Sequence, residues 1–303
     1  PAVLASIAFV EEAFGAWHIK GGVGKLADAV YQRCLDRGVN FEFNSPITSI
    51  NHNGKQVTGV SLNTGRSVNY EIVIANADAS LVYNNLISGK VSKLKRTRKN
   101  LAKAEPSLAG FSLLLGLRPS DKPSGLSHHN VLFPKDYDLE FEDIFNRKVP
   151  VADPTIYICA PNDDAMVKHP GHEAWFVLVN APRHSESDSD SDGFNWNDKD
   201  ANHRYAMKII DAIEARGISV RDRLEVLEIR TPADLERTVM APGGSIYGTS
   251  SNGARSAFLR AKNRSPLKGL YCVGGSAHPG GGLPLVGLSA EIVAQAVVGP
   301  TTH

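Results

Sequence analysis

The spacing of apolar residues changes character several times along the chain, and each change predicts a different element. Val23, Leu26, Ala27, Val30, Tyr31, Cys34 and Leu35 recur at helical spacing, and Gly38 supplies a stop signal. This pattern predicts an amphipathic helix. Beyond it, Val39 to Phe43, Ile47 to Ile50, Gln56 to Leu62 and Glu71 to Ala75 are short runs rich in β-branched or aromatic residues, with Asn53-Gly54 and Thr64-Gly65 as hairpin turns. Helical spacing returns from Ala79 to Ala104. Leu108 to Leu117, Asn130 to Phe133, Thr155 to Ala160 and Ala174 to Asn180 then read as strands of a second sheet. Tyr205 to Ala215 reads as helix, Leu224 to Arg230 as strand, and Leu270 to Val273 as a short apolar strand. Leu285 to Val298 is apolar apart from Glu291 and Gln295, which predicts a mostly buried helix.

Composition narrows the class. The 303 residues suffice for about two ordinary domains, and 42% hydrophobic with 21% charged residues excludes a disordered or fibrous chain. Lys plus Arg number 33 against 32 Asp plus Glu, a formal net charge of +1, so no nucleic-acid partner is expected. Cys34, Cys159 and Cys272 lie too far apart for a Cys-x-x-Cys motif, and their odd number fits a reducing, cytoplasmic compartment. No apolar run reaches the roughly 18 residues of a spanning helix; peripheral membrane contact stays open. Lys90, Lys93, Lys95, Arg96, Arg98 and Lys99 form a basic stretch whose plainer reading is a solvated helix face, with an anionic membrane contact as the sharper one. Ser185 to Gly193, with Glu186, Asp188, Asp190 and Asp192, is too polar to order by burial and reads as a surface loop rather than a calcium site. The chain opens at Pro1 in mid-pattern, which reads as a piece of a longer protein.

Several motifs invite chemistry. Lys20-Gly21-Gly22-Val23-Gly24-Lys25 imitates a triphosphate-binding loop, but Ile19 stands where that loop needs glycine and Leu26 where it needs a magnesium-binding hydroxyl. Its glycines are explained as a tight entry into the Val23 helix. His169-Pro-Gly-His172-Glu173 and His128-His129 are the dense imidazole groups; Pro170 and Gly171 preclude one helical face, and with no cysteine nearby in sequence a surface turn is preferred to a metal site. No Gly-x-Ser-x-Gly elbow and no clear acid-base pair is present, so no catalytic residue and no metal ligand is nominated. The strongest signal is Gly269-Leu-Tyr-Cys-Val-Gly-Gly-Ser-Ala-His-Pro-Gly-Gly-Gly-Leu-Pro-Leu-Val-Gly287, where a strand ends at Val273 and a helix begins about Pro284. Six glycines from Gly274 to Gly287 exceed what a tight turn needs. They strip side chains from a backbone that meets the positive end of a helix, a place suited to a flat, electron-rich ligand.

Gly274-Gly-Ser-Ala-His-Pro-Gly-Gly-Gly-Leu-Pro284 closely resembles the C-terminal FAD-contacting segment of phytoene-desaturase-type carotenoid desaturases, within the flavin amine oxidase-like enzymes. Trp17-His-Ile-Lys-Gly-Gly-Val-Gly-Lys-Leu26 resembles a mid-chain segment of that family, Ile72-Val-Ile-Ala-Asn-Ala-Asp78 the strand closing its flavin domain, and Met240-Ala-Pro-Gly-Gly-Ser-Ile-Tyr-Gly248 the loop before its final flavin segment. The order matches across nearly the whole chain. The family's opening strand, Gly-x-Gly-x-x-Gly turn and ribose-binding acid are absent, so the sequence is similar to the C-terminal portion of such an enzyme.

The resemblance implies an α/β fold: a Rossmann-like, glutathione reductase-type FAD domain lacking its N-terminal dinucleotide motif, interleaved with a mixed-sheet substrate domain. Residues 1–15 would end a helical or substrate region, 16–80 and 263–303 would belong to the FAD domain, and 81–262 to the substrate domain. It also implies hydride transfer from an allylic C–H of a hydrophobic polyene or isoprenoid to flavin N5, forming a C=C bond. Gly274, Gly275, Ser276, His278, Pro279, Gly280, Gly281, Gly282, Leu283 and Pro284 would line the FAD, with Ile47 a weaker backbone contact near the adenine. Trp17 and Tyr247 would border the substrate channel or else pack in the core. A polyene isomerase, a retinol saturase-like reductase, an amine oxidase-like enzyme and a truncated chain unable to hold FAD are the competing implications. The oligomeric state is not implied.

Overall fold

The computed structural model of the chain describes residue 9 and residues 11–121, 124–186, 193–250 and 260–299. Helix α1 (Gly24–Asp36) precedes strands β1 (Ile47–His52), β2 (Val57–Leu62), β3 (Ser67–Asn69) and β4 (Val73–Ala75). Helix α2 (Ala79–Leu81) runs into a π-helical turn, Val82–Leu86, and helix α3 spans Lys95–Lys103. Strand β5 (Ala109–Leu117), β6 (His129–Leu132), helix α4 (Tyr137–Phe141), β7 (Ile156–Cys159) and β8 (Glu173–Ala181) follow. Helix α5 (Lys199–Glu214), β9 (Leu224–Arg230), helix α6 (Pro232–Val239), β10 (Leu270–Cys272) and helix α7 (Leu283–Val298) complete the order. The fold is mixed α/β.

Strands β6, β7, β8, β5 and β9 form one sheet in that spatial order, with every neighbouring pair antiparallel. The second sheet predicted from the strand runs therefore exists, but it is antiparallel rather than mixed. Strict alternation explains its two faces. Phe111, Leu113, Leu115 and Leu117 of β5, with Trp175, Val177 and Val179 of β8 and Ile156 and Ile158 of β7, are buried against Tyr205, Ala206, Ile209, Ile210 and Ile213 of α5. Asp198 starts that helix by accepting the Asp200 and Ala201 amides, which places its N-terminus ahead of the predicted Tyr205. Helix α6, for which the hydrophobic spacing gave no signal, is fixed by Pro232 in its first turn and a reciprocal Thr231–Asp234 capping box.

Among the described residues, little covers the opposite face of the same sheet. Leu114 pairs across to Phe176, Phe176 to Cys159, and Cys159 to His129, so these residues share one row. Leu114, Phe176, Val226 and Val131 are exposed there. With Cys159, Gly116, Met166 and Ala174, the first three line an apolar concavity of about 290 Å³.

A second core joins Ile50, Val57, Ala79, Val82, Tyr83, Leu94, Leu267, Leu270, Cys272 and Ala277. It draws together β1, β2, α2 and β10. The predicted helix over Ala79 to Ala104 is interrupted between Leu86 and Ser92, where Gly89 takes φ +76°. Arg98 stitches the break, donating to the carbonyls of Tyr83, Ile87 and Gly89 at 2.7, 2.5 and 2.8 Å. Of the basic stretch, Arg98 is thus a structural tie, while Lys90, Lys93, Lys95, Arg96 and Lys99 are exposed.

Three further expectations change. Val39 to Phe43 is not a strand; Phe41 and Phe43 stack on each other and close on Tyr31 of α1 with centroids 4.6 and 6.0 Å away. Helix α1 ends before Gly38 as its pattern predicts, yet none of its residues is buried. Helix α7 is not mostly buried: only Ser289 and Val293 are, while Leu283, Leu285, Leu288, Ile292 and Val298 are exposed. Its apolar sides lack covering partners among the described residues. Of the acidic Ser185–Gly193 loop, residues 187–192 lie outside the described residues, as does most of the predicted 1–15 region.

Leu113 is fully buried at the centre of the β5 face. Leu113→Ala is expected to cost about 2–5 kcal/mol of stability, read as a lower denaturant midpoint at unchanged slope. An unaltered midpoint would contradict the placement of β5 at the middle of this core.

Candidate functional site

The site is assembled by one short parallel pairing. Leu270, Tyr271 and Cys272 of β10 lie beside Val73, Ile74 and Ala75 of β4. Glycine is favoured at both ends of β10: a Cβ on Gly269 would fall 2.2 Å from the Glu71 carbonyl, and Gly274 takes φ +101°, which L side chains rarely adopt. The pairing brings the turn after β4 against the loop after β10. Ser276 Oγ accepts the Ala79 amide at 3.0 Å, and Asp78 caps the same turn by accepting the Ser80 amide.

The glycine loop is held from one side by buried polar groups. Asn263 Nδ2 lies 3.1 Å from the Cys272 carbonyl, 2.8 Å from the His278 carbonyl and 2.9 Å from Ser289 Oγ. Ser289, fully buried on α7, accepts the Gly274 amide at 3.2 Å. Arg260 Nη1 donates to the carbonyls of Tyr247 and Gly275 at 2.8 and 3.0 Å. Burial lowers the Arg260 pKa from its ordinary value. The loop also packs on the 240–248 segment, where a Cβ on Gly248 would meet Ser276 Cβ at 2.7 Å.

Its other side is open among the described residues. Gly282 caps α7 with φ 98° and no side-chain hydrogen bond, and a Cβ there would meet nothing within 4 Å. The first amides of a 16-residue helix therefore face an uncrowded space with partial positive charge. Gly274, Gly280 and Ala277 are buried, while His278, Gly282, Leu283 and Pro284 are exposed. Pro279 follows a cis peptide bond. Chemically, the arrangement leaves a stretch of glycine backbone and a helix N-terminus side by side, with Gly282 uncrowded.

The remaining predicted residues are placed less uniformly. Tyr247 is half-exposed and lies against Gly281, where an added Cβ would come within 2.4 Å of Tyr247 Cδ1. Ile47 opens β1 in a three-stranded antiparallel sheet, β1-β2-β3, which reaches the β10 region through the Val57 amide and Lys268 carbonyl. Trp17 is 86% exposed and its indole donates to Phe14, so it is not a core residue. The glycine turn that follows it donates the Gly21 amide to Asp163 at 2.6 Å, and His18 meets the same carboxylate oxygen at 2.8 Å. A protein carboxylate thus occupies the anion seat of the false triphosphate loop. The hydrogen bond from His18 and the amides of Gly21 and Ala165 pull the Asp163 pKa down to about 2.

One grouping escaped sequence reasoning. His129 of β6 stands directly opposite Cys159 of β7, and one ligand atom from each of His128, His129 and Cys159 lies within 4.8 Å of the others. The His128 and His129 rings are 4.4 Å apart, and His18 meets His128 edge-on at 4.9 Å. Burial, then the His129 and His18 imidazoles, lower the His128 pKa. Tyr157, 2.8 Å from His129 Nδ1, is pushed up to about 12 by burial and by the neighbouring Cys159. His169 and His172 instead form the expected turn, with Gly171 at φ +76° and His172 facing Glu225.

No family model matches the chain. Among curated proteins it is 33% identical to a 1-hydroxycarotenoid 3,4-desaturase of Flavobacterium, over 100% of this chain and 59% of the relative. A 4,4'-diaponeurosporene oxygenase of Staphylococcus haemolyticus is 31% identical over 98% of this chain and 57% of its own length. The chain therefore spans less than two thirds of these relatives. Among solved structures, an oxidoreductase of Methanosarcina mazei superposes with a TM-score of 0.60 at 14% identity, covering 91% of this chain and 55% of the other. A Pyrococcus furiosus protein superposes with a TM-score of 0.52 at 12% identity, over 94% and 54%. These two are similar in fold.

Two outcomes test the geometry. Asn263→Ala removes the donor behind the loop and leaves buried acceptors unpaired, so a loss of about 1–3 kcal/mol in thermal or denaturant unfolding is expected; wild-type stability would contradict the pinning role. Asp163 has a folded pKa below its unfolded value of about 3.9, so its contribution is present above that pH and lost as pH falls towards about 2. The stability gap between wild type and Asp163→Asn should therefore narrow over that interval. A gap independent of pH would show that the carboxylate charge is not what anchors Gly21 and His18.

Proposed function

We propose, for a chain homologous along its whole length to carotenoid desaturases and oxygenases, that the protein is an FAD-dependent oxidoreductase acting on a carotenoid or related hydrophobic polyene. The observation that carries this reading is the glycine loop pinned on one side by Asn263, Ser289 and Arg260 and open on the other at Gly282. Such a surface fits a flat, anionic dinucleotide cofactor: the backbone is free of side chains, and the α7 N-terminus favours an electron-rich ring edge. Residues Gly274, Gly275, Ser276, His278, Pro279, Gly280, Gly281, Gly282, Leu283 and Pro284 would hold the FAD, with Ile47 a more distant backbone contact. Residues 16–80 and 263–303 would form the flavin part and 81–262 the substrate part.

FAD, when bound, supplies a two-electron acceptor. The chain's own residues hold the polyene, exclude water and set which carbon is presented. The uncovered sheet face with Leu114, Val131, Phe176 and Val226 is apolar enough to carry a long hydrocarbon. Tyr247, against the glycine loop, would border that path near the reacting carbons, and Trp17 would border it farther away. Desaturation takes two hydrogens from neighbouring carbons and leaves a C=C bond. No helix among the described residues is long and apolar enough to cross a membrane; substrate would be drawn from lipid by peripheral contact.

The test uses the full-length protein. It is expected to purify with bound flavin and to convert a carotenoid precursor to a product lighter by two hydrogens. A product heavier by oxygen would assign it to the oxygenase side of its relatives, and flavin-loaded protein inert towards all carotenoid precursors would overturn the reading. Gly281→Val should lower the flavin-to-protein absorbance ratio, because the added side chain must displace Tyr247 or the cofactor. Unchanged flavin content would remove this loop from the cofactor site.

A further inference from the structure

We propose that His128, His129 and Cys159 form a binding site for a transition-metal ion of the zinc class, independent of the flavin site. Sequence distance hides the grouping; strand register creates it. Antiparallel pairing of β6 with β7 sets His129 opposite Cys159, and the Ala160 amide donates to the His128 carbonyl at 2.8 Å, which brings His128 to the same corner. The three donor atoms already converge to within 4.8 Å of one another. Donors on one tetrahedral zinc ion are about 3.5 Å apart, from metal–ligand lengths of about 2.0–2.3 Å, so side-chain rotation of about an ångström completes the site.

The donor set decides the ion class. Two imidazole nitrogens and one thiolate sulfur suit zinc and its borderline-soft neighbours and are poor ligands for calcium or magnesium, which take oxygen. Three protein ligands leave a fourth position for water or a further donor. His18, edge-on to His128 and held by Asp163, is a further imidazole beside the cluster. Cys159 is half-buried, and the Tyr157 hydroxyl meets His129 Nδ1 at 2.8 Å, which restrains that ring. A bound ion would clasp the edge strand β6 to β7 at the rim of the uncovered apolar face, beside the concavity that Cys159 also lines.

The test uses the tag-free chain, stripped with chelator, kept reduced and titrated with Zn²⁺ against a chromophoric chelator, then with Co²⁺. One equivalent of Zn²⁺ should bind, and bound Co²⁺ should show a thiolate-to-cobalt charge-transfer band. Cys159→Ser should abolish the band and weaken Zn²⁺ binding by at least about tenfold, and His128→Ala should weaken it similarly. His169→Ala, on the separate surface turn, should leave binding unchanged. Should a variant fail to fold by circular dichroism, the wild-type chain still decides: Zn²⁺ must slow alkylation of Cys159, located by mass spectrometry, without protecting Cys34. Absence of stoichiometric binding, an affinity unmoved by Cys159→Ser, or an unprotected Cys159 overturns the proposal.

Discussion

The rest of the site depends on the parallel pairing of three residues of β4 with three of β10. It closes a long excursion of the chain: Ala79 and Ser276, hydrogen-bonded across it, are 197 positions apart. An unstructured loop of that length costs roughly 5 kcal/mol to close by the logarithmic law, more than so short a ladder returns. The excursion is not unstructured. Its five-stranded antiparallel sheet and α5 bury their own core, so the segment returns as a folded body whose ends already lie close together. The inserted core therefore carries the energetic burden, and β4–β10 adds registry: it decides which turn faces which loop.

That division accounts for an uneven distribution of burial. The inserted sheet buries one face and, among the described residues, leaves an apolar patch exposed on the other, whereas α1 buries no residue and α7 buries two. Helix α7 is still not featureless. Its two buried residues, Ser289 and Val293, lie four apart on one stripe, and Ser289 points a hydroxyl at the Gly274 amide and Asn263. A serine placed in an otherwise apolar helix thus meets the polar loop that the helix must hold. Ser289 fixes the rotation of α7 against the loop.

Local chemistry was largely legible in the sequence, and long-range chemistry was not. Strands β5, β7, β8 and β9 followed from alternation and α1 from its spacing, because each signal lies within one element. The break between Leu86 and Ser92 was masked by continued helical spacing, since its stabilising contact comes from Arg98 on the next helix. The run Val39 to Phe43 has strand composition, but its aromatics find a better partner in Tyr31 than in a sheet edge. Burial of α7 failed for a different reason: an apolar pattern states what a helix needs, not whether the described chain supplies it. The glycine loop could be located from its composition, whereas Asn263, Arg260 and Ser289 behind it carry no sequence signal of their own.

The same contrast separates the two glycine-rich segments. Both place positive-φ glycines ahead of a helix, at Gly21 and Gly22 before α1 and at Gly280 and Gly282 before α7. In the first, Asp163 fills the anion position with a carboxylate whose charge is retained down to about pH 2. That amide is spoken for, and the segment becomes a structural tie to the inserted sheet. In the second, the buried polar groups satisfy the loop's carbonyls of Cys272, Gly275 and His278 and the amide of Gly274. Those bonds hold the loop from its inner side, and no side chain among the described residues caps the α7 N-terminus. A loop rigid at its carbonyls, with helix amides free of side-chain acceptors, is organised before any ligand arrives, so binding there would cost little ordering entropy. The glycines permit both conformations; the position of a single acidic residue distinguishes the amide that is bonded to a carboxylate from the helix amides that have no side-chain acceptor among the described residues.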